Sequence, residues 1–143
     1  MTFIRPMTND DLDFAVDQTL REGGATGRHM FEIYLAHDPD GCFIAEDFGQ
    51  RVGMEPTNLG SRIGPWIALD LGTAQNLLTA ARCAAGPGRT LTLGVPAPNN
   101  EAHDLLSATG FKATPSCRRM IRGTRAAQGQ LNRIFAIAGG AVG

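Results

Sequence analysis

The sequence predicts an α+β domain in which a central sheet, mixed but mostly antiparallel, is flanked by helices. Three observations carry this expectation. Short apolar stretches and helical periodicities follow one another in the order β-α-α-β-β-β-α-β-α-β-β. A strand-helix-strand unit in the middle needs a crossover, and hence at least one parallel pair, while the hairpins at either end are antiparallel. At 143 residues the chain suits one domain, 1–143, with a real core.

The elements follow in order. A short strand over 3–7 precedes Thr8-Asn9-Asp10-Asp11, a capping hydroxyl with an acidic first turn. Leu12, Ala15, Val16 and Leu20 recur at helical spacing until Gly23-Gly24 stops them. A second helix spans about 26–37 and ends at the turn Asp38-Pro39-Asp40-Gly41. Residues 42–46 read as an apolar strand that turns at Phe48-Gly49-Gln50 into a short partner over 51–54. Pro56 and Gly60-Ser61 mark that partner as irregular or at the sheet edge.

Residues 63–69 form an almost wholly apolar run, as in a strand covered on both faces. Gly72 or Thr73 then opens a helix with Ala74, Leu77, Leu78 and Ala81 on one side, closed by Gly86-Pro87-Gly88. A strand over 90–95, expected to lie parallel to 63–69, leads to a helix capped by Asn99. That helix buries Ala102, Leu105 and Leu106 and stops at Gly110, with Phe111 opening the next strand. Two closing strands, 111–121 and 131–138, flank the polar connection 123–130.

Composition narrows the class of function. No apolar run is long enough to cross a bilayer, and the N-terminus has no leader-like series, so a cytoplasmic protein is expected, with no membrane partner. Cys42, Cys83 and Cys117 are an odd number with no C-x-x-C pair and no histidine at ligand spacing. They read as buried reduced thiols, with no metal site. Residues 1–60 carry eleven acidic residues against four arginines, and 61–143 nine basic against three acidic. Such polarity can steer an anionic ligand or favour head-to-tail association. No nucleic-acid partner is expected, because Arg118, Arg119, Arg122 and Arg125 are not interleaved with aromatics.

The run from Asn99 through Ala102, Leu105 and Leu106 to Gly110-Phe111 resembles the N-x-x-A-x-x-L-Y-x-x-x-G-F signature of the GNAT acyl-CoA N-acetyltransferase superfamily, with Leu106 in place of the tyrosine. The stretch 63–68, the Gly94-Val95-Pro96-x-x-Asn99 junction and the closing strands look like the second repeat of two-repeat bacterial GNAT proteins. The first fifty-odd residues look like an ordinary opening half, which suggests a composite joined near 54–60. The resemblance implies the GNAT fold, an acyltransferase activity, and acetyl-CoA laid in a V between the fourth and fifth strands. Its pyrophosphate would sit on the following helix N-terminus, where amides and the dipole favour an anion.

Carried onto this chain, the resemblance implies cofactor contacts at Trp66, Ile67, Leu69, Gly72, Thr73, Ala74 and Asn99. Trp66 or Ile67 would supply the amide that polarises the thioester carbonyl, since Pro65 has none. The loop Leu69-Asp70-Leu71-Gly72-Thr73-Ala74-Gln75 has one glycine, no arginine and an added carboxylate. Asp70 reads as a helix cap that competes with phosphate. Weak acetyl-CoA binding is therefore expected. No catalytic residue is fixed: Glu46, Asp47 and Glu55 near strand ends are candidate bases, though each reads first as a solvated surface acid, and Tyr34 reads as core.

Two functions remain open. One is an N-acetyltransferase that moves an acyl group from acetyl-CoA to a small-molecule amine. The other is a catalytically silent GNAT-fold module for small-molecule binding, regulation or dimerisation. A homodimer is expected in either case. Its contact would be the sheet edge near Met54 or the apolar tail at Ile134, Phe135, Ile137 and Val142.

Overall fold

The structure is a computed structural model that describes residues 1–58, 62–115 and 129–137. Strands β1 (Phe3–Pro6), β2 (Cys42–Asp47), β3 (Gln50–Asn58), β5 (Trp66–Ala68) and β6 (Ile134–Ala136) lie side by side in that order, and each pair is antiparallel. β4 (Arg62–Ile63) pairs with the far end of β3. Helices α1 (Leu12–Arg21) and α2 (Arg28–His37) cover one face, and α3 (Leu71–Ala85) and α4 (Asn100–Ala108) the other. This is the α+β architecture that the sequence predicts.

Alternation along the strands divides the core. Ile44, Met54 and Ile67 pack with Leu12, Phe31 and Tyr34 beneath α1 and α2. Ala45, Trp66, Ala68 and Phe135 pack with Leu77, Leu78 and Leu105 beneath α3 and α4. α3 approaches the sheet closely at Gly53. A Cβ there would stand 2.9 Å from the Ile67 carbonyl oxygen and 3.0 Å from Thr73 Cγ2.

Several expectations are corrected. The partner of the 42–46 strand is neither short nor at an edge: β3 runs from Gln50 to Asn58 through the middle of the sheet, with Met54 fully buried. Pro56 is tolerated because its backbone faces the break between β4 and β5, where its carbonyl accepts from the Gly64 amide at 3.0 Å, so the missing N–H falls at that break and not in the β2–β3 ladder. The run 63–69 is broken into β4 and β5 at Gly64, whose φ of 138° suits only glycine, and at Pro65, which follows a cis peptide bond. The 90–95 strand reduces to two bridges, Thr92 parallel to Arg62 and Gly94 antiparallel to Ile137. Residues 111–115 form no strand, and the described part of 131–138 contributes only a 3-10 turn (Leu131–Arg133) and β6. Cys83 is exposed rather than buried.

Three of the four described residues that suggested a dimer contact are buried, and the fourth, Ile137, is half-buried. Ile134 and Phe135 are buried in the chain's own core, and Met54 lies far from any edge. Val142, Cys117, Arg118, Arg119, Arg122, Arg125, most of the 111–121 strand and most of the 123–130 connection lie outside the described residues, as do residues 59 and 60 of the 54–60 junction.

Candidate active site

The site is built where β5 ends and α3 begins. Asp70 caps α3 by accepting a 2.7 Å hydrogen bond from the Thr73 amide, and its carbonyl accepts from Ala74 at 3.1 Å. The Leu69 amide is bound to the Val52 carbonyl at 3.1 Å, while the Leu69 side chain is exposed. Gly72, Thr73 and Ala74 thus form the first turn of α3, with one of its amides taken by a carboxylate.

Beyond β5 the sheet ought to open, because β4 and the 92–94 segment meet at the parallel Arg62–Thr92 bridge, where the Ile63 amide donates to the Thr92 carbonyl at 2.9 Å. Instead β6 fills the opening. Trp66 faces Ala136 and Ile67 faces Ile134, with a register shift between the two pairs. On the far side the Ile137 amide reaches the Gly94 carbonyl at 2.9 Å. Trp66 is fully buried and packs against Phe135, with ring centroids 5.1 Å apart, and its Nε1 has no partner among the described residues.

Asn99 ties the site together. Its Oδ1 caps α4 by accepting from the Ala102 amide at 3.0 Å, and its Nδ2 donates to the carbonyls of Ile134 at 2.8 Å and Asn132 at 3.2 Å. The seven sequence-derived positions therefore fall into two groups. Trp66, Ile67 and Asn99 converge on β6, while Leu69, Gly72, Thr73 and Ala74 line the β5–α3 junction.

Of the three candidate bases, Glu46 accepts two hydrogen bonds from Arg5 and Asp47 binds the N-terminal ammonium at 2.8 Å. Glu55 differs from the sequence expectation of a solvated acid. It is fully buried on β3, opposite Phe43, on the sheet face that carries Trp66. Neither carboxyl oxygen has a partner among the described residues, and burial pushes its pKa up to about 8. Tyr34 is core, as expected, edge-on to Phe31, with its pKa raised by burial.

Sequence reasoning missed Glu22. This residue follows α1, is buried, and accepts the Gln130 amide through Oε2. With Thr19, Gly24, Ile67, Ile134 and Ala136 it lines a cleft of about 30 Å³. Its pattern signal is nil, because an acid after a helix reads as surface.

The chain belongs to the GNAT family: the family model described as an acetyltransferase (GNAT) domain matches residues 42–136. No curated protein matches it by sequence. Among solved structures it is similar to Ard1 from Thermoplasma volcanium, at 16% identity and a TM-score of 0.67, over 80% of this chain and 84% of that one. It is also similar to the wild-type protein TTHA1254 from Thermus thermophilus, at 19% identity and a TM-score of 0.61, over 86% of this chain and 99% of that one. At these identities the structural likeness speaks for the fold.

The family's usual donor, acetyl-CoA, does not fit the residues as they are arranged. The strand edge that its pantetheine would use is paired with β6, and the Thr73 amide in the first turn of α3 is held by Asp70.

Proposed function

We propose that this chain is an N-acetyltransferase acting on a small-molecule amine, with acetyl-CoA as acyl donor and Glu55 as the proton acceptor. Family membership supports the reaction class, and the buried Glu55 supports the role. An alkylammonium must lose a proton before its nitrogen can attack a carbonyl. A base whose pKa lies near working pH serves that step best. Glu55 has such a value, about 8, and no hydrogen-bond partner among the described residues to hold the carboxylate. An unpaired buried carboxyl costs stability and gives no structural return that would explain it.

Its proton comes from the amine nitrogen as that nitrogen becomes nucleophilic. Neither Glu46 nor Asp47 competes for this task, since each is already paired with a cation. The test is release of free thiol from acetyl-CoA across a panel of small amines. Turnover is expected to rise with pH towards about 8 and to fall at least a hundredfold in Glu55→Gln. Absence of thiol release with every amine would refute the proposal, and an active Glu55→Gln would remove Glu55 from it.

A further inference from the structure

Among the described residues, the segment that carries β6 is tied down from both helical layers as well as by its pairing with β5. Asn99, at the start of α4, donates to two carbonyls, one of them in β6 and the other in the turn before it. Glu22, at the end of α1, accepts the amide of Gln130, and Gly129 lies so close that a Cβ there would overlap the Glu22 backbone. β6 itself contributes only three residues, and one ring, Phe135, rests on Trp66.

We infer that residues 129–136 form a strap, latched by Asn99 and Glu22, that occupies the acyl-donor position of the sheet and must leave it before acetyl-CoA can bind. The inference rests on the N-acetyltransferase reading and adds a coupling to it. An extended pantetheine and an extended strand ask for the same backbone edge of β5, so one excludes the other. When the strap leaves, Trp66 and Ile67 lose their partners Ala136 and Ile134, and Phe135 leaves the ring beside Glu55's face of the sheet. Donor binding and exposure of the buried base thereby become one event. The donor's apparent affinity is reduced by the fraction of molecules in which the strap is closed.

Asn99→Ser separates the two duties of Asn99, because serine keeps the helix cap and deletes the donor to the strap. Acetyl-CoA is titrated calorimetrically into both full-length proteins, and amide exchange of residues 134–137 is followed with and without it. The expected result is faster exchange in Asn99→Ser, at least fivefold tighter acetyl-CoA binding, and loss of protection at 134–137 in the wild type once acetyl-CoA is bound.

Binding to the wild type with 134–137 still protected would overturn the strap and leave the N-acetyltransferase reading standing. Faster exchange in the variant, with no binding and no thiol release by either protein, would overturn both. Should Asn99→Ser fail to fold, the register partners offer a second route. With Ile67→Cys and Ile134→Cys in a Cys83→Ser background, the oxidised protein is expected to lose acetyl-CoA binding and the reduced protein to regain it. Equal binding in both states would overturn the strap.

Discussion

The β1–β2 end of the sheet and the β5–β6 end treat buried polar groups in opposite ways. At the first, Asp11 is completely buried. It takes two 2.7 Å hydrogen bonds from Arg5, one of 2.7 Å from Arg51, and further ones from the Thr8 amide and hydroxyl. Burial alone would raise its pKa, but these donors more than offset it and hold the carboxyl well below the usual carboxylate range. At the second, Trp66 Nε1 on β5 and both oxygens of Glu55, on the adjacent central strand β3, have no partner among the described residues. A fully satisfied network fixes one arrangement, whereas an unsatisfied one leaves a group whose free energy improves when something else arrives. The first end is scaffold and the second is where the chemistry belongs.

The largest effect should come from breaking the scaffold. Asp11→Ala takes from Arg5 and Arg51 their shared buried partner and from the Thr8 amide its acceptor, and is expected to cost about 3–5 kcal/mol in denaturant unfolding. A loss below about 1 kcal/mol would mean that the network is solvated and that the two ends do not differ. Because the folded pKa of Asp11 is depressed, its contribution is present above the unfolded value of 3.8 and is lost as pH falls below it.

Glu55 should give the opposite pH dependence, and the next largest effect. Its folded pKa, about 8, exceeds the unfolded 4.5, so the folded state binds the extra proton between these values. Stability should therefore fall as pH rises from about 4.5 to 8 and then level off. Glu55→Gln should remove the slope and be more stable than the wild type at about pH 9 by about 2–4 kcal/mol. Parallel stability curves for the two proteins would place a partner on Glu55.

Two smaller changes sharpen the contrast. Asp70→Asn keeps a capping oxygen on Thr73 and removes a negative charge from the start of α3. It should leave the melting temperature nearly unchanged and tighten acetyl-CoA by about 1 kcal/mol at low salt, an advantage that fades as salt is added. Phe48 sits exposed at the β2–β3 turn with φ of 49°, followed by Gly49 at 75°. Asn-Gly suits such a turn better than Phe-Gly, so Phe48→Asn should stabilise the hairpin by about 0.5–1 kcal/mol without touching acetyl-CoA binding.

What the sequence made legible was mostly local. The Asn99 cap, the stop at Gly110, the Asp70 cap and the Phe48-Gly49 turn are decided by residues within a few positions of one another, and all appear as read. The central position of β3 was hidden because Pro56 argues for an edge, and only the break at Gly64-Pro65, which faces the Pro56 backbone, removes that argument. The 63–69 run concealed its break because apolar periodicity does not register the φ that Gly64 adopts. In the site, the pairing of β6 with β5 joins residues almost seventy positions apart, and Glu22 reaches Gln130 over 108 positions. Contacts of that range leave no mark on spacing or composition.

The contrast between the two ends is tested most directly by native-state amide exchange across the whole chain, without ligand. Amides of β2 and β3 are expected to exchange only through global unfolding, while those of residues 134–137 exchange through a local opening of distinctly lower free energy. Equal protection at both ends would contradict it, because a strand that opens only when the whole protein unfolds cannot be a strap.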